Sequence, residues 1–249
     1  DRTNVGTRSI FGTNLRFSLE KFPLLTTKKM FLKGIVEELL FFLRGDTDTK
    51  KLEAKGVNIW KGNTSRKYLD KIGLLHEPEG SLGKGYGYQW RHWGKSEKFD
   101  GVDQLLSLVT KLKTTPDDRR MLVSAWNVSD LHQMALPPCH YSFQCYVSSD
   151  KKLSLLWNQR SVDSFLGLPY NIASYAILNM ILAKLANLTP GEIIFNGGDT
   201  HIYQNHFEQV TEQISRVPFE FPELIVPEIS SIKDINDLSF EDFKLINYN

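Results

Sequence analysis

The chain has 249 residues, 41% of them hydrophobic, with 30 Lys and Arg against 29 Asp and Glu and a formal net charge of +1. That balance offers no general attraction for nucleic acid, acidic lipid or another polyelectrolyte, and the length accommodates one large domain or two ordinary ones with a sizeable core. The two cysteines, Cys139 and Cys145, lie six residues apart in what reads as one strand; a span of roughly 20 Å prevents their bridging and suits a reducing, cytoplasmic compartment.

Arg8 to Leu19 alternates in the manner of a strand. Thr26-Thr27 then offers a cap for a helix over Lys28 to Arg44, which Gly45 closes. Further strands are expected at Met121 to Asn127, Tyr141 to Val147, Leu153 to Gln159 and Gly191 to Asn196. Helices are expected at Val102 to Lys113, Ile172 to Leu188 and Tyr203 to Ser215. The longest apolar run, Ile172 to Leu188, contains Ser174, Asn179, Lys184 and Asn187, so it reads as a buried core helix rather than a membrane span. No linker, repeat or low-complexity tract interrupts the chain. Strands and helices intermix without regular alternation, which predicts an α+β fold: a single domain, 1–249, with a mixed β-sheet packed by helices.

The richest local signal is Leu136-Pro137-Pro138-Cys139-His140, followed twenty residues later by Gln159-Arg160-Ser161-Val162-Asp163. Two consecutive prolines fix φ and exclude helix before the cysteine, so the thiol emerges from a stiff extended segment. A hairpin turning at Ser148 to Lys151 would return Arg160 to the level of Cys139, where its permanent charge favours a thiolate. Two readings stand on spacing alone, a reactive nucleophile and a small buried hydrophobe, and Cys145 fits the second better.

Glu37 has Lys33 four residues back and reads as half of a surface pair. Glu38 has Gly34, Ile35, Phe41 and Phe42 at helical spacing. It is either a buried carboxyl with a raised pKa, suited to proton shuttling, or a helix-edge group reaching water. Asp117-Asp118-Arg119-Arg120 by itself reads as a solvated turn with internal ion pairs. Gly83-Lys84-Gly85-Tyr86-Gly87 has neither nucleotide-loop spacing and reads as a turn. His201 and His206 lack metal-ligand spacing, so no metal is expected. Trp60, Trp90, Trp93 and Trp126 read as core rather than ligand platform.

Leu136 to His140, Gln159 to Asp163 and Phe165 to Tyr175 resemble the thymidylate synthase family, and the likeness extends to both ends of the chain. It includes Asp1-Arg2-Thr3, Phe22 to Lys29, Tyr86 to Arg91, Pro116 to Arg120, Ser124 to Asn127, Gly197 to Tyr203 and Asn205-His206. The resemblance implies reductive methylation of deoxyuridylate (dUMP) to thymidylate (dTMP), with 5,10-methylenetetrahydrofolate giving both carbon and hydride. Cys139 would be the nucleophile and Glu38 the proton manager, with Arg160, Asn171, His140 and Tyr86 beside them. Arg2, Arg119, Arg120, Arg160 and Ser161 would hold phosphate, and His201 and Tyr203 the ribose. Gln159, Asn171 and Asp163 would complete the nucleotide site. Ile59, Trp60, Asn63, Leu136, Leu166, Gly167, Tyr170 and Asp163 would form the folate pocket, with Asp163 facing the pterin.

The family also implies a homodimer built on a sheet face, in which Arg119 and Arg120 enter the partner's site. It normally carries a helix before this point and a short closing tail after it, and the opening on Asp1 reads as a trimmed chain or as one domain of a longer polypeptide. Without the tail, nucleotide binding with slow turnover is expected. The chain departs from the family pattern at Asn4, Lys61, Lys84-Gly85 and Asn158, the last bearing on the packing behind Arg160. A hydroxymethylase of the same fold and an inert, RNA-binding relative are the alternatives; Asn171 favours uracil over cytosine, and the neutral charge disfavours RNA.

Overall fold

In the computed structural model, which describes residues 3–248, the alternating stretch near the start forms β1 (Thr7–Ser18). Next come α1 (Leu32–Arg44) and three short helices, α2 (Lys50–Glu53), α3 (Arg66–Lys71) and α4 (Tyr86–His92). α5 (Gln104–Thr114) leads through β2 (Leu122–Ser124) and a 3-10 turn at Val128–Gln133 to β3 (His140–Val147) and β4 (Lys152–Asp163). α6 (Gly167–Ala186) and β5 (Thr189–Tyr203) follow, then α7 (Phe207–Ile214) and a small pair, β6 (Glu223–Ile225) with β7 (Lys244–Ile246).

The main sheet has the order β1-β5-β4-β3-β2. Its neighbours are antiparallel except β4 and β5, which run parallel and are joined by α6. The expected mixed α+β sheet is therefore present. Trp157, Leu155, Phe143 and Phe195 point from it into one continuous core with α1, α5 and α6. α6 is apolar nearly all round because it sits between sheet and helices, touching β4, β5, α1 and α5. Its buried Asn179 donates to the carbonyl of Leu153 at 2.8 Å, where the register of β4 against β5 slips.

On the opposite face a depression of about 880 Å³ runs over Arg16, Gln144, Tyr146, Leu156 and Ile194. Across the same face a row of polar side chains links four strands. Asn158 donates to Ser142 (3.1 Å), Asn196 to Asn158 (3.2 Å) and Asn14 to Asn196 (2.6 Å). Asn158, one of the departures from the family, thus serves a ladder of amides rather than an aromatic contact. Asn4, another, has φ 60, a left-handed conformation that Asn tolerates after Gly.

Several elements differ from the sequence expectation. α1 starts at Leu32, not at Lys28, because the preceding segment is drawn out by remote partners. Thr26 exchanges hydrogen bonds with the backbone of Phe219, Lys28 donates to the carbonyl of Phe165, and the Met30 amide donates to the Tyr248 hydroxyl. The helix does end at Gly45, whose φ of 78 closes the last turn. β4 and β5 run on to Asp163 and Tyr203, so α7 starts only at Phe207, whereas β2 is cut to three residues. Glu37 is not at the surface: it is buried, ion-paired to Lys55 at 2.6 Å and accepting from the Phe240 amide at 2.9 Å.

Of the turn expected at residues 83–87 only the first part is present, a bend at Gly83-Lys84, because Tyr86 and Gly87 already belong to α4. A side chain on Gly83, at φ 64, would meet the Gln133 carbonyl at 2.0 Å. Gly87 lets α4 approach α1, since a Cβ there would lie 2.8 Å from the Phe42 carbonyl. Lys84 pairs with Asp130 at 3.2 Å, and Asp130 also accepts from the buried Gln89 at 2.9 Å and from Asn127 at 3.0 Å. This network ties α4 to the segment that leads into Leu136. Gly87→Ala is expected to destabilise the fold by about 2 kcal/mol, the scale of an overpacked contact, read as a lower urea midpoint with an unchanged slope.

Candidate active site

Cys139 is mounted where the di-proline segment enters β3. His140 pairs with Gln159 in register, and the Arg160 amide donates to the Cys139 carbonyl at 2.9 Å. The Arg160 side chain then folds back over the same segment. Its Nε donates to the Pro138 carbonyl at 2.9 Å and its Nη2 to the Pro137 carbonyl at 3.0 Å, with Nη2 3.8 Å from the Cys139 sulfur. The prolines have no amide protons to offer a strand, so their carbonyls are available to the guanidinium. Trp126 faces the other side of Arg160, 5.7 Å from ring centre to guanidinium carbon. Trp126 is therefore a platform for the arginine, whereas Trp90 is core.

A register irregularity between His140 and Ser142 bends β3 beside the cysteine. The Cys139 amide donates to the Tyr86 hydroxyl at 2.8 Å. Tyr86 in turn lies against His140, ring centres 4.4 Å apart, and against Phe42 at 4.7 Å. Burial among these rings pulls the pKa of His140 down to about 3, so the imidazole is neutral. Farther along β3, burial in the core pushes the pKa of Cys145 up to about 12, leaving this cysteine an inert core residue as expected. The Tyr86 phenol is also held protonated, mainly by burial.

Glu38 has the apolar surroundings its spacing suggested. Desolvation raises its pKa to about 7, partly opposed by the bond it accepts from Trp60 Nε1 at 2.7 Å. Trp60 is 6.0 Å from Tyr86, so carboxyl, phenol, imidazole and thiol line one continuous wall.

The polarity of the amides beside this wall follows from one donor-only group. Trp157 Nε1 donates to Gln159 Oε1 at 3.2 Å, which turns the Gln159 amide nitrogen toward Asn171 Oδ1 at 3.0 Å. Asn171 is left with its own NH2 and one oxygen lone pair for another partner. Farther along, His201 bonds to Asp199 at 3.0 Å and lies edge-on to Tyr203 at 5.2 Å. Asp163 Oδ1 accepts from the amides of Phe165 and Leu166 at 2.9 and 3.2 Å, while Oδ2 faces His206 at 4.0 Å. Ser161 sits one residue beyond Arg160 on β4, paired with Asp199 of β5.

Ile59 and Leu166 are exposed, and Asn63, Leu136, Gly167 and Tyr170 are half-buried. Arg2 lies outside the described residues. Arg119 and Arg120 are not brought to Arg160 within one chain. They are exposed at the far end of β3, where the Gln144 side chain donates to the Arg119 carbonyl at 3.2 Å and Arg120 pairs with Asp118 at 2.9 Å. Strand rise puts that end roughly 17 Å from Cys139. Among the described residues, no group of three or more His, Cys, Asp and Glu is placed to hold a metal ion.

The family model described as "Thymidylate synthase" matches residues 1–249. The chain belongs to this family. It is 53% identical to the bifunctional dihydrofolate reductase-thymidylate synthase of Paramecium tetraurelia, covering all of this chain and 55% of that protein. It is 51% identical to the thymidylate synthase of Herpesvirus ateles and 47% identical to that of Candida albicans, in each case covering all of this chain and 88% of the relative. The chain thus spans about half the length of the bifunctional relatives it matches.

Two side chains carry no role in the sequence reading, Tyr175 at the end of the Phe165 to Tyr175 motif and Trp157 on β4. Tyr175 bonds His140 Nδ1 at 2.9 Å, and Trp157 stacks on Tyr175 at 4.8 Å. The position of Tyr175, one helical turn after Asn171 on α6, was an available signal.

The raised pKa of Glu38 carries a stability prediction. A carboxyl with a folded-state value above its ordinary 4.5 adds stability that is complete below about pH 4.5 and is lost as pH rises through about 7. Glu38→Gln removes that dependence. It should unfold at higher urea than the parent at pH 8, by on the order of 2–3 kcal/mol, with the gap closing toward pH 5.

Proposed function

We propose that the chain catalyses reductive methylation of dUMP by 5,10-methylenetetrahydrofolate, giving dTMP and dihydrofolate. The observation that carries this reading is the Arg160 guanidinium spanning both proline carbonyls and touching the Cys139 sulfur. A stiffly mounted thiol against a permanent cation is suited to act as a thiolate nucleophile.

Uracil C5 is too weak a nucleophile to take a one-carbon unit unaided. The Cys139 thiolate adds to C6, and the displaced electron pair moves through C5 toward O4. C5 then attacks the methylene carbon carried by the folate. That attack releases the carbon from one folate nitrogen; loss of the C5 proton then breaks its bond to the other and leaves an exocyclic methylene, to which the folate gives hydride, completing the methyl group as C5=C6 re-forms and the sulfur is expelled as thiolate. Glu38, poised near neutrality, manages the proton transfers. Asn171 gives its NH2 to O4 and accepts N3–H with its remaining lone pair, the pattern of uracil and the opposite of cytosine. His140 and Tyr86 stand beside the thiol, and Gln159 orients Asn171.

His201 and Tyr203 hold the ribose, and Arg2, Arg160 and Ser161 hold the phosphate. Guanidinium forks match a phosphate dianion in pairs. Arg119 and Arg120 of a second copy complete that group in a homodimer formed through the open sheet face. Their distance from Cys139 within one chain, and the depression across that face, support this arrangement. The folate lies against Ile59, Trp60, Asn63, Leu136, Leu166, Gly167 and Tyr170, with Asp163 facing the pterin; apolar and aromatic surface with one carboxylate fits a flat ring system with a polar edge. No helix among the described residues is long and apolar enough to cross a membrane. Two unbridged cysteines suit a reducing compartment, which supports assigning the activity to the cytoplasm.

Incubation with dUMP and methylenetetrahydrofolate tests the reading. Dihydrofolate and dTMP are expected; a hydroxymethyl product would indicate the hydroxymethylase, and binding without product an inert relative. Cys139→Ser should keep dUMP binding and lose turnover by at least about 1000-fold. Arg119→Ala with Arg120→Ala should lose activity alone and regain part of it when mixed with Cys139→Ser protomers. Absence of recovery, with a monomer in sedimentation, would contradict the shared site.

A further inference from the structure

We propose that Tyr175 is a positioning residue that holds His140 in the Nε2–H tautomer, so that the imidazole offers the pyrimidine site a fixed hydrogen-bond donor rather than an acceptor. The inference deepens the reading of His140 given above, and its kinetic arm rests on that reading.

Counting donors and acceptors fixes the tautomer. Tyr175 is buried, 2% exposed, and its hydroxyl lies 2.9 Å from His140 Nδ1. No other polar partner of that hydroxyl is present among the described residues. If Nδ1 carried the proton, it would donate to the phenol oxygen and leave the phenol hydrogen buried without an acceptor. Leaving a buried donor unmatched costs the full desolvation of that group. If the phenol donates instead, Nδ1 is the acceptor and the ring proton resides on Nε2. The neighbouring Trp157 offers no alternative acceptor, because its indole nitrogen is donor-only and is already committed to Gln159.

Packing holds both rings in place. Tyr175 stacks on Trp157 with centres 4.8 Å apart and planes 7° from parallel, and it meets Phe143 edge-on at 6.1 Å. His140 is covered by Tyr86 at 4.4 Å and Phe42 at 6.3 Å, and it meets Tyr175 at 89°. A ring flip would forfeit the phenol bond and these contacts together. Burial also keeps the imidazole neutral, so a doubly protonated ring is not the source of the donor. The consequence is chemical selectivity. A fixed N–H on His140, whose strand partner Gln159 bonds Asn171, suits a ligand edge carrying a carbonyl oxygen and opposes an amino group in the same place.

The test is two-bond proton–nitrogen correlation NMR on protein labelled with nitrogen-15 in its imidazoles, near neutral pH, with His140 assigned by its loss in His140→Gln. The parent is expected to show His140 with the Nε2–H pattern. Tyr175→Phe keeps the ring against Trp157 and should show a mixture of tautomers, with kcat lowered roughly tenfold and KM little changed. An Nδ1–H pattern in the parent, or a Tyr175→Phe variant with the parental spectrum, would overturn the proposal. Should Tyr175→Phe fail to fold, the parental spectrum decides alone. A parent that shows the Nε2–H pattern but does not methylate dUMP would support the tautomer assignment while removing the functional reading.

Discussion

Everything reactive in this molecule depends on Arg160 folding back over the chain that carries Cys139. One guanidinium accepts the task that amide protons perform in an ordinary strand: it holds two proline carbonyls that have no partners in the sheet ladder. The same Nη2 that donates to the Pro137 carbonyl lies 3.8 Å from the sulfur. One side chain thus adds a brace to a segment already stiffened by its prolines and brings a cation to the sulfur. Substitution by Lys would keep the charge but not the fork, since an ammonium is a point charge without a planar pair of donors.

Around this clamp the protein uses burial to set protonation states. Burial in the wall of aromatic rings, and in the core farther along β3, moves titratable groups toward their neutral forms. Glu38 rises to about 7, His140 falls to about 3 and Cys145 rises to about 12. Cys139 is the group given a permanent cation instead. The contrast between the two cysteines, six residues apart on one strand, therefore lies in what faces them rather than in the thiol itself. The same dry wall makes hydrogen-bond polarity costly to reverse, and Trp157 and Tyr175 use that cost to orient Gln159, Asn171 and His140.

Some of this was legible in the sequence and some was not, for identifiable reasons. The approach of Arg160 to Cys139 could be read because a hairpin has few registers: a turn at 148–151 returns residue 160 to the level of 139 and 140, and the irregularity between His140 and Ser142 decides between them. The end of α1 was readable because Gly45 must take a left-handed φ, a local demand. Its start was not, since the bonds that draw out residues 26–30 come from Phe165, Phe219 and Tyr248. Glu37 misled for the same reason: Lys33 was the visible partner, but Lys55 and the Phe240 amide are the actual ones. Trp126 was read as core because nothing local marks a tryptophan as the backing of an arginine. Arg119 and Arg120 carry no local sign of purpose, and their assignment rests on the family likeness together with a second copy of the chain.

The account stands or falls on the charge at the sulfur, which alkylation measures directly. The rate of reaction of Cys139 with iodoacetamide near neutral pH, compared between the parent and Arg160→Gln, isolates that charge, because Cys145 is buried and unreactive. The parent is predicted to react about tenfold faster, in proportion to its larger thiolate fraction. An Arg160→Gln variant that is folded and reacts as fast as the parent would contradict the central claim.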